Sequence, residues 1–276
     1  MKIAIVGLGL IGGSLALSIR QHTEHTVFGY DIDPEVLLRA KAMEAIHDEL
    51  TPEVLPACDI VLVALYPELC AQYILKHRDD FGDRTLVIDC AGVKRHVCRQ
   101  VVPVASQHRW HFIGGHPMAG REFSGFTHAR GDLFDNASMI LCPAPDVDIV
   151  TRERAKAFFL EAGFKMVRFC TPEAHDQMIA YTSQLAHVVS GAYVKNPLAQ
   201  THKGFSAGSF LDMTRVARMN ESMWTELFLE NADLLLPALD DLISRLSEYR
   251  DALTSGDPAQ LEPVLREGRL CKEALD

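Results

Sequence analysis

The 276-residue chain has no CxxC pair, no excess of basic residues and no apolar run long enough to span a bilayer. Its cysteines are Cys58, Cys70, Cys90, Cys98, Cys142, Cys170 and Cys271, an odd number without metal-ligand spacing. Neither a disulfide framework nor a metal site is expected, and reduced thiols fit a cytoplasmic protein. Lys and Arg total 27 against 37 Asp and Glu, for a net charge of -10. An acidic surface repels phosphate backbones, so general nucleic-acid binding is excluded. Any anionic ligand must instead be met by a few local cations. Ile3 to Ile19 is uncharged and follows Lys2 like a signal-peptide core. It is interrupted by glycines and stops short of the ~18 residues of a membrane span, so no targeting or membrane role is expected.

What is present is ordinary globular composition, 48% hydrophobic and 23% charged. At ~150 residues per domain, the length fits about two domains. Lys2 to Val6 reads as a buried strand, and Gly7-Leu8-Gly9-Leu10-Ile11-Gly12 then leads into a helical run. This is G-x-G-x-x-G between strand and helix. Gly7 permits the tight turn, Gly9 leaves room for a pyrophosphate, and Gly12 lets helix and sheet pack closely. The helix N-terminus, with Leu10 and Ile11, offers N–H groups to the phosphates. A second strand, Thr26 to Tyr30, ends in Asp31, placed to accept from an adenosine ribose and to repel a 2′-phosphate. NAD is therefore favoured over NADP. Asp33 fits the role of cap before Pro34 better than Asp31 does.

The alternation continues. Helices are expected over Pro34–Ala45, Pro67–Leu75 and Lys94–Val102, and strands over Ile60–Leu65, Thr85–Asp89 and His111–Ile113. This pattern predicts a doubly wound parallel sheet, with ligands at the carboxyl ends of the strands. Leu65, at one such end, joins the cofactor crevice. Ser138–Cys142 and Lys165–Phe169 read as further strands around a helix, Arg152–Ala162. After the Thr171-Pro172 cap the chain reads as helices only: Glu173–Val194, Ser222–Tyr249 and Ala259–Ala274, the last capped by Asp257. The chain divides into an α/β domain, 1–170, and an all-α domain, 171–276. Long apolar helices in an appended domain suggest a dimer.

Candidate chemistry lies in three places. His116, expected in the glycine-flanked loop after the His111–Ile113 strand, suits general acid/base work. His175, Ile179, Ser183, His187 and Gly191 recur every four residues on one helix face. They line a polar site, or His175 and His187 are core histidines beside a serine. Arg215 offers a fork to a substrate carboxylate, or forms a surface ion pair with Asp212.

Together, GLGLIGGSLA, Gly115-His116-Pro117-Met118-Ala119-Gly120, the Ser183…His187 helix, Asp212–Ala217 and Met223-Trp224 resemble the prephenate dehydrogenase family, with its arogenate-using relatives. The resemblance runs over nearly the whole chain. It implies a Rossmann-type domain with a helical dimerisation domain, and a homodimer. It implies NAD-dependent oxidative decarboxylation of prephenate to 4-hydroxyphenylpyruvate, or of arogenate to tyrosine. By position it makes His116 the catalytic histidine. It sets Ser183 and His187 along the substrate and nicotinamide, Arg215 on a carboxylate, and Glu122 near the site.

Two positions depart from the family pattern. Gly92 stands where D-x-G-S-V-K would place a serine, so the side-chain hydrogen bond to the substrate hydroxyl is lost or moved. Arg121 replaces a small polar residue and offers a second carboxylate contact. No length remains for a fused mutase or a regulatory domain. A β-hydroxyacid dehydrogenase would want a lysine four residues before an asparagine, whereas Lys195 directly precedes Asn196. An imine reductase shares the architecture. A non-enzymatic NAD sensor would leave His116, His187 and Arg215 unexplained together.

Overall fold

A computed structural model describes residues 1–121 and 123–275. The strands are β1 (Lys2–Val6), β2 (Thr26–Tyr30), β3 (Asp48–Glu49), β4 (Ile60–Val63), β5 (Leu86–Asp89), β6 (His111–Pro117), β7 (Ser138–Pro143) and β8 (Met166–Phe169). They form one sheet in the order β3-β2-β1-β4-β5-β6-β7-β8. The helices crossing between strands are α1 (Leu10–His22), α2 (Pro34–Ala42), α3 (Pro67–Lys76), α4 (Arg95–Ala105) and α5 (Ile149–Glu161).

The β-branched strands bury both faces, as a doubly wound sheet requires. Ile3, Ile5, Ile60, Leu62 and Ile88 pack with Leu15 and Ile19 of α1 and Phe158 and Phe159 of α5. The alternate residues Ala4, Val6, Val61, Val63 and Val87 pack with Ile74 of α3 and Val97 and Val101 of α4.

The sheet is not wholly parallel, because β7 runs antiparallel to β6. Among the described residues no helix longer than the single turn Phe126–His128 joins them, and a parallel return needs a longer crossover. That pairing also extends β6 beyond the expected His111–Ile113: His116 lies opposite Ile140 and Pro117 opposite Met139. His116 is thus a strand residue, paired with β7 beyond the point where β5 ends, and not a loop residue. The two-residue edge strand β3 carries no period-2 hydrophobic signal and escapes sequence reading.

After β8 the described chain is helical: α6 (Pro172–Ile179), α7 (Leu185–Tyr193), α8 (Gly208–Thr214), α9 (Glu221–Glu230), α10 (Ala232–Ser255) and α11 (Pro258–Glu273). Thr171 and Asp257 accept the capping bonds expected of them, from Ala174 and Ala259. The single helix expected over Glu173–Val194 is broken by a π-helical turn, Ala180–Gln184. The extra residue in that turn ends the four-residue repeat that linked His175 to His187. The helix expected over Ser222–Tyr249 is two, meeting at buried Asn231.

Candidate active site

The glycine loop shows three different needs. Gly7 has φ +84°, and a Cβ there would meet Leu65 Cδ2 at 2.6 Å and the Ala64 carbonyl at 2.7 Å. A Cβ on Gly12 would sit 1.8 Å from the Gly7 carbonyl oxygen. A Cβ on Gly9 would meet nothing within 4 Å. Gly9 therefore faces an open cradle, while Gly7 and Gly12 answer to packing. Helix α1 begins here with no side-chain cap and no acid in its first turn, so its first N–H groups remain available to an anion. Asp31 stands beside this cradle. Its Oδ2 accepts from Leu8 N at 2.8 Å and its Oδ1 from Asp33 N at 3.0 Å, which leaves acceptor capacity for hydroxyls. Asp33 caps α2 by accepting from Glu35 N. The residues present fit a dinucleotide.

At the carboxyl end of β6, His116 Nδ1 lies 2.8 Å from His175 Nε2, and His175 Nδ1 lies 2.7 Å from Asp176 Oδ1. His175 and Asp176 are buried, whereas His116 keeps partial exposure. Burial pushes His116 well below the ordinary histidine range, helped by His175 and Lys94. Burial also lowers His175, against the pull of its bond to Asp176. Burial alone would raise Asp176. The His175 bond and the N–H groups of Arg95 and Lys94 outweigh it and hold the carboxyl below its usual range.

A buried ion pair supports the same strand end. Lys94 Nζ contacts Asp89 Oδ2 with both side chains fully enclosed. Burial would lower the ammonium, but the Asp89 charge and hydrogen bond, with Cys98 and Cys70, together outweigh it and raise it. Asp89 Oδ1 also accepts from Gly115 N at 3.2 Å, one residue before His116.

The other candidates gather on the helical side. His187 Nδ1 donates to the Ser183 carbonyl at 2.9 Å, and its ring lies 3.9 Å from that of Trp224. Burial lowers its pKa, with Arg215 adding to the effect, so Nε2 is left bare. Helix α7 packs on the turn Arg215–Ala217. Among the described residues Arg215 makes no ion pair or side-chain hydrogen bond, so the alternative pairing with Asp212 does not form. Arg121 and Arg218 lie 5.9 and 5.8 Å from the Phe123 ring centroid. Phe123 thus joins the segment after His116 to the segment after Arg215. Glu122 lies outside the described residues. Gly92 faces Leu227 of α9: a Cβ there would lie 3.0 Å from Leu227 Cδ2.

Models of known families match this chain in two adjoining blocks. The prephenate dehydrogenase nucleotide-binding domain covers residues 15–168, and the prephenate dehydrogenase dimerization domain covers residues 171–267. The chain belongs to the prephenate dehydrogenase family. It is an oxidoreductase, with a Rossmann-type domain followed by a helical dimerisation domain. It is 30% identical to the prephenate dehydrogenase of Bacillus subtilis, over 94% of this chain and 72% of that one. It resembles the A. aeolicus prephenate dehydrogenase solved with hydroxyphenyl propionate and NAD+, at 26% identity and TM-score 0.86, covering 100% and 98% of the two chains. It resembles Synechocystis arogenate dehydrogenase at 25% identity and TM-score 0.83, covering both chains fully.

Several residues around this site escape sequence reading. Asp89 and Lys94 form opposite charges at a strand–helix turn, a weak signal that only their complete burial makes meaningful. Asp176 sits one turn into the helix capped by Thr171, where the acid of the first turn is Glu173. His175 stood among the four-residue repeat, yet its partner is His116, while His187 stacks near Trp224.

Proposed function

We propose that the protein oxidises prephenate with NAD and releases CO2 to give 4-hydroxyphenylpyruvate, a step of tyrosine biosynthesis in the cytoplasm. Residues 1–170 hold the dinucleotide. Residues 171–276 complete the substrate site and pair two copies of the chain. Leu236, Ile243, Leu246, Leu253, Leu265 and Leu270 of α10 and α11 are each more than half exposed, which supplies an apolar surface for a second copy.

The observation that carries this reading is a partly exposed histidine, pushed by burial toward its neutral form, at the carboxyl end of a strand in the same sheet that carries the open phosphate cradle. Gly9 and the first turn of α1 receive the pyrophosphate, with Leu10 and Ile11 supplying N–H groups. Leu65 closes the turn at Gly7, and Asp31 accepts from the ribose hydroxyls. When bound, the nicotinamide supplies the acceptor for the hydride from the ring carbon that bears the hydroxyl. His116 takes the hydroxyl proton as that carbon becomes a ketone. The bond to the ring carboxylate then breaks, CO2 leaves, and its electron pair aromatises the ring. The ring oxygen recovers the proton from His116 as a phenol. A positioned base contributes about 10²–10⁴-fold. Arg215 holds a substrate carboxylate, with Arg121 a second contact. Ser183 and His187 line the ring and nicotinamide, and Glu122 lies in the same segment as Arg121. Leu227 occupies the space beside Gly92, where the family pattern would place a serine.

NADH formation with prephenate and with arogenate, each tried with NAD and NADP, tests this reading. A rate with prephenate and NAD supports it in full. A rate with arogenate alone keeps the proton and hydride steps and moves the product to tyrosine. No rate with either substrate overturns it.

A further inference from the structure

We propose that His175 and Asp176 are positioning residues that fix His116 as its Nδ1–H tautomer and leave Nε2 as the proton acceptor. The assignment deepens the proposed function and rests on it for its catalytic meaning, but the tautomer itself follows from the hydrogen-bond chain alone.

Asp176 is a buried carboxylate whose oxygens accept from Lys94 N at 2.7 Å, Arg95 N at 2.9 Å and Arg95 Nε at 3.2 Å. An ionised carboxylate has only acceptors. His175 Nδ1, 2.7 Å from Asp176 Oδ1, must then carry the proton of that bond. His175 is held neutral by burial, so its Nε2 presents a lone pair. His116 Nδ1, 2.8 Å from that lone pair, must in turn carry a hydrogen. A neutral imidazole has one N–H, so His116 Nε2 is bare. It has no partner among the described residues and is not among their buried, unpartnered atoms, so it stays open to a ligand.

The reverse tautomer would leave two lone pairs facing each other across the His116–His175 contact. The chain also serves the next state. Once His116 accepts the substrate proton, both its nitrogens bear hydrogens, and His175 still accepts from Nδ1 while Asp176 offers counter-charge behind it. The charged groups around the pair are Asp176 on α6, Lys94 and Arg95 at the start of α4, and Asp89 at the end of β5. Where a carboxylate fixes a catalytic histidine in this way, reversing the tautomer costs up to about 10⁴-fold in turnover.

Two readouts test the assignment. Nitrogen-15 NMR of the histidine-labelled protein, with His116 assigned through His116→Asn, should show Nδ1 protonated and Nε2 bare. A wild-type Nε2–H tautomer overturns the proposal, whatever the enzyme's substrate proves to be. In kinetics, His175→Phe keeps the volume but removes the acceptor. It should lower kcat by about 10²-fold with NAD affinity unchanged, and shift the acid limb of the pH profile downward, because the His116 imidazolium loses the acceptor that stabilises it. His175→Gln, whose Oε1 replaces the Nε2 acceptor, should restore at least about tenfold of that loss. A His175→Phe enzyme with wild-type kcat and an unmoved acid limb overturns the positioning role. Absence of turnover in the wild type would instead defeat the proposed function and leave the NMR result to decide the tautomer.

Discussion

Asp176 and Arg95 join the two halves of the chain through a shared cap. Helix α4 begins at Arg95 with no side-chain cap of its own, and the Asp176 carboxylate of α6 takes the N–H groups of Lys94 and Arg95. Arg95 then reaches on to Asn231 and Asp233 at the α9–α10 junction, at 2.8 and 2.7 Å. Asn231 returns a bond to the Asp176 carbonyl at 2.9 Å. The group that orients His175 is therefore also the group that seats the helical half on the sheet.

Asp176→Ala should lower the unfolding free energy by about 3–5 kcal/mol, because it strands a buried histidine N–H and two backbone donors and takes one of its carboxylate partners from Arg95. Urea unfolding followed by circular dichroism measures the loss. A change below about 1 kcal/mol would show that water or Asp233 takes over the cap.

The glycine loop makes a paired prediction. Gly9→Ala should fold normally, since nothing lies near the added methyl, yet weaken NAD binding by about tenfold or more by filling the pyrophosphate cradle. Gly12→Ala should destabilise the fold itself, because its methyl falls on the Gly7 carbonyl. Melting curves and NAD titration separate the two effects. Wild-type NAD affinity in Gly9→Ala would move the phosphates elsewhere.

Arg215→Ala should raise KM for the substrate dianion by about tenfold or more while leaving KM for NAD nearly unchanged. The guanidinium is exposed and unpaired among the described residues, so its removal costs little stability. An unchanged substrate KM would shift the carboxylate to Arg121.

The α/β alternation, the glycine loop, Asp31 and the change to helices after Thr171 were legible because each has a local signal: a strand period, a turn requirement or a cap. The position of His116 at a strand end was also legible. Its membership of β6 was not, because the partners that extend that strand come from β7, on the far side of a long connection. The π turn at Ala180–Gln184 has no sequence period, so it broke a repeat that looked continuous. Lys94, Asp89 and Asp176 carry no sequence signal of their burial; a charge declares its role only when its neighbours are known. Gly92 was read as a missing hydroxyl, and the structure adds that Leu227 presses on the same point.

Glu230 gives the last prediction. One of its oxygens is buried without a partner, and the other lies 3.3 Å from His96 Nε2, whose closer contact is Glu68 at 2.7 Å. Burial pushes the Glu230 carboxyl up from 4.5 to about 7; His96 opposes the shift, and Glu226, Glu68 and Asp176 add to it. The folded chain thus holds a proton that the unfolded chain has released. Below about pH 4.5 the group is protonated in both states and costs nothing. As pH rises through the window up to about 7, folding loses up to about 3 kcal/mol, and above it the loss is complete. Glu230→Gln keeps the shape and removes the titration. The variant should match the wild type near pH 5 and exceed it in melting temperature at pH 8. Melting curves for the two proteins that stay parallel from pH 5 to 8 would show that His96 neutralises Glu230 and that the buried oxygen carries no such cost.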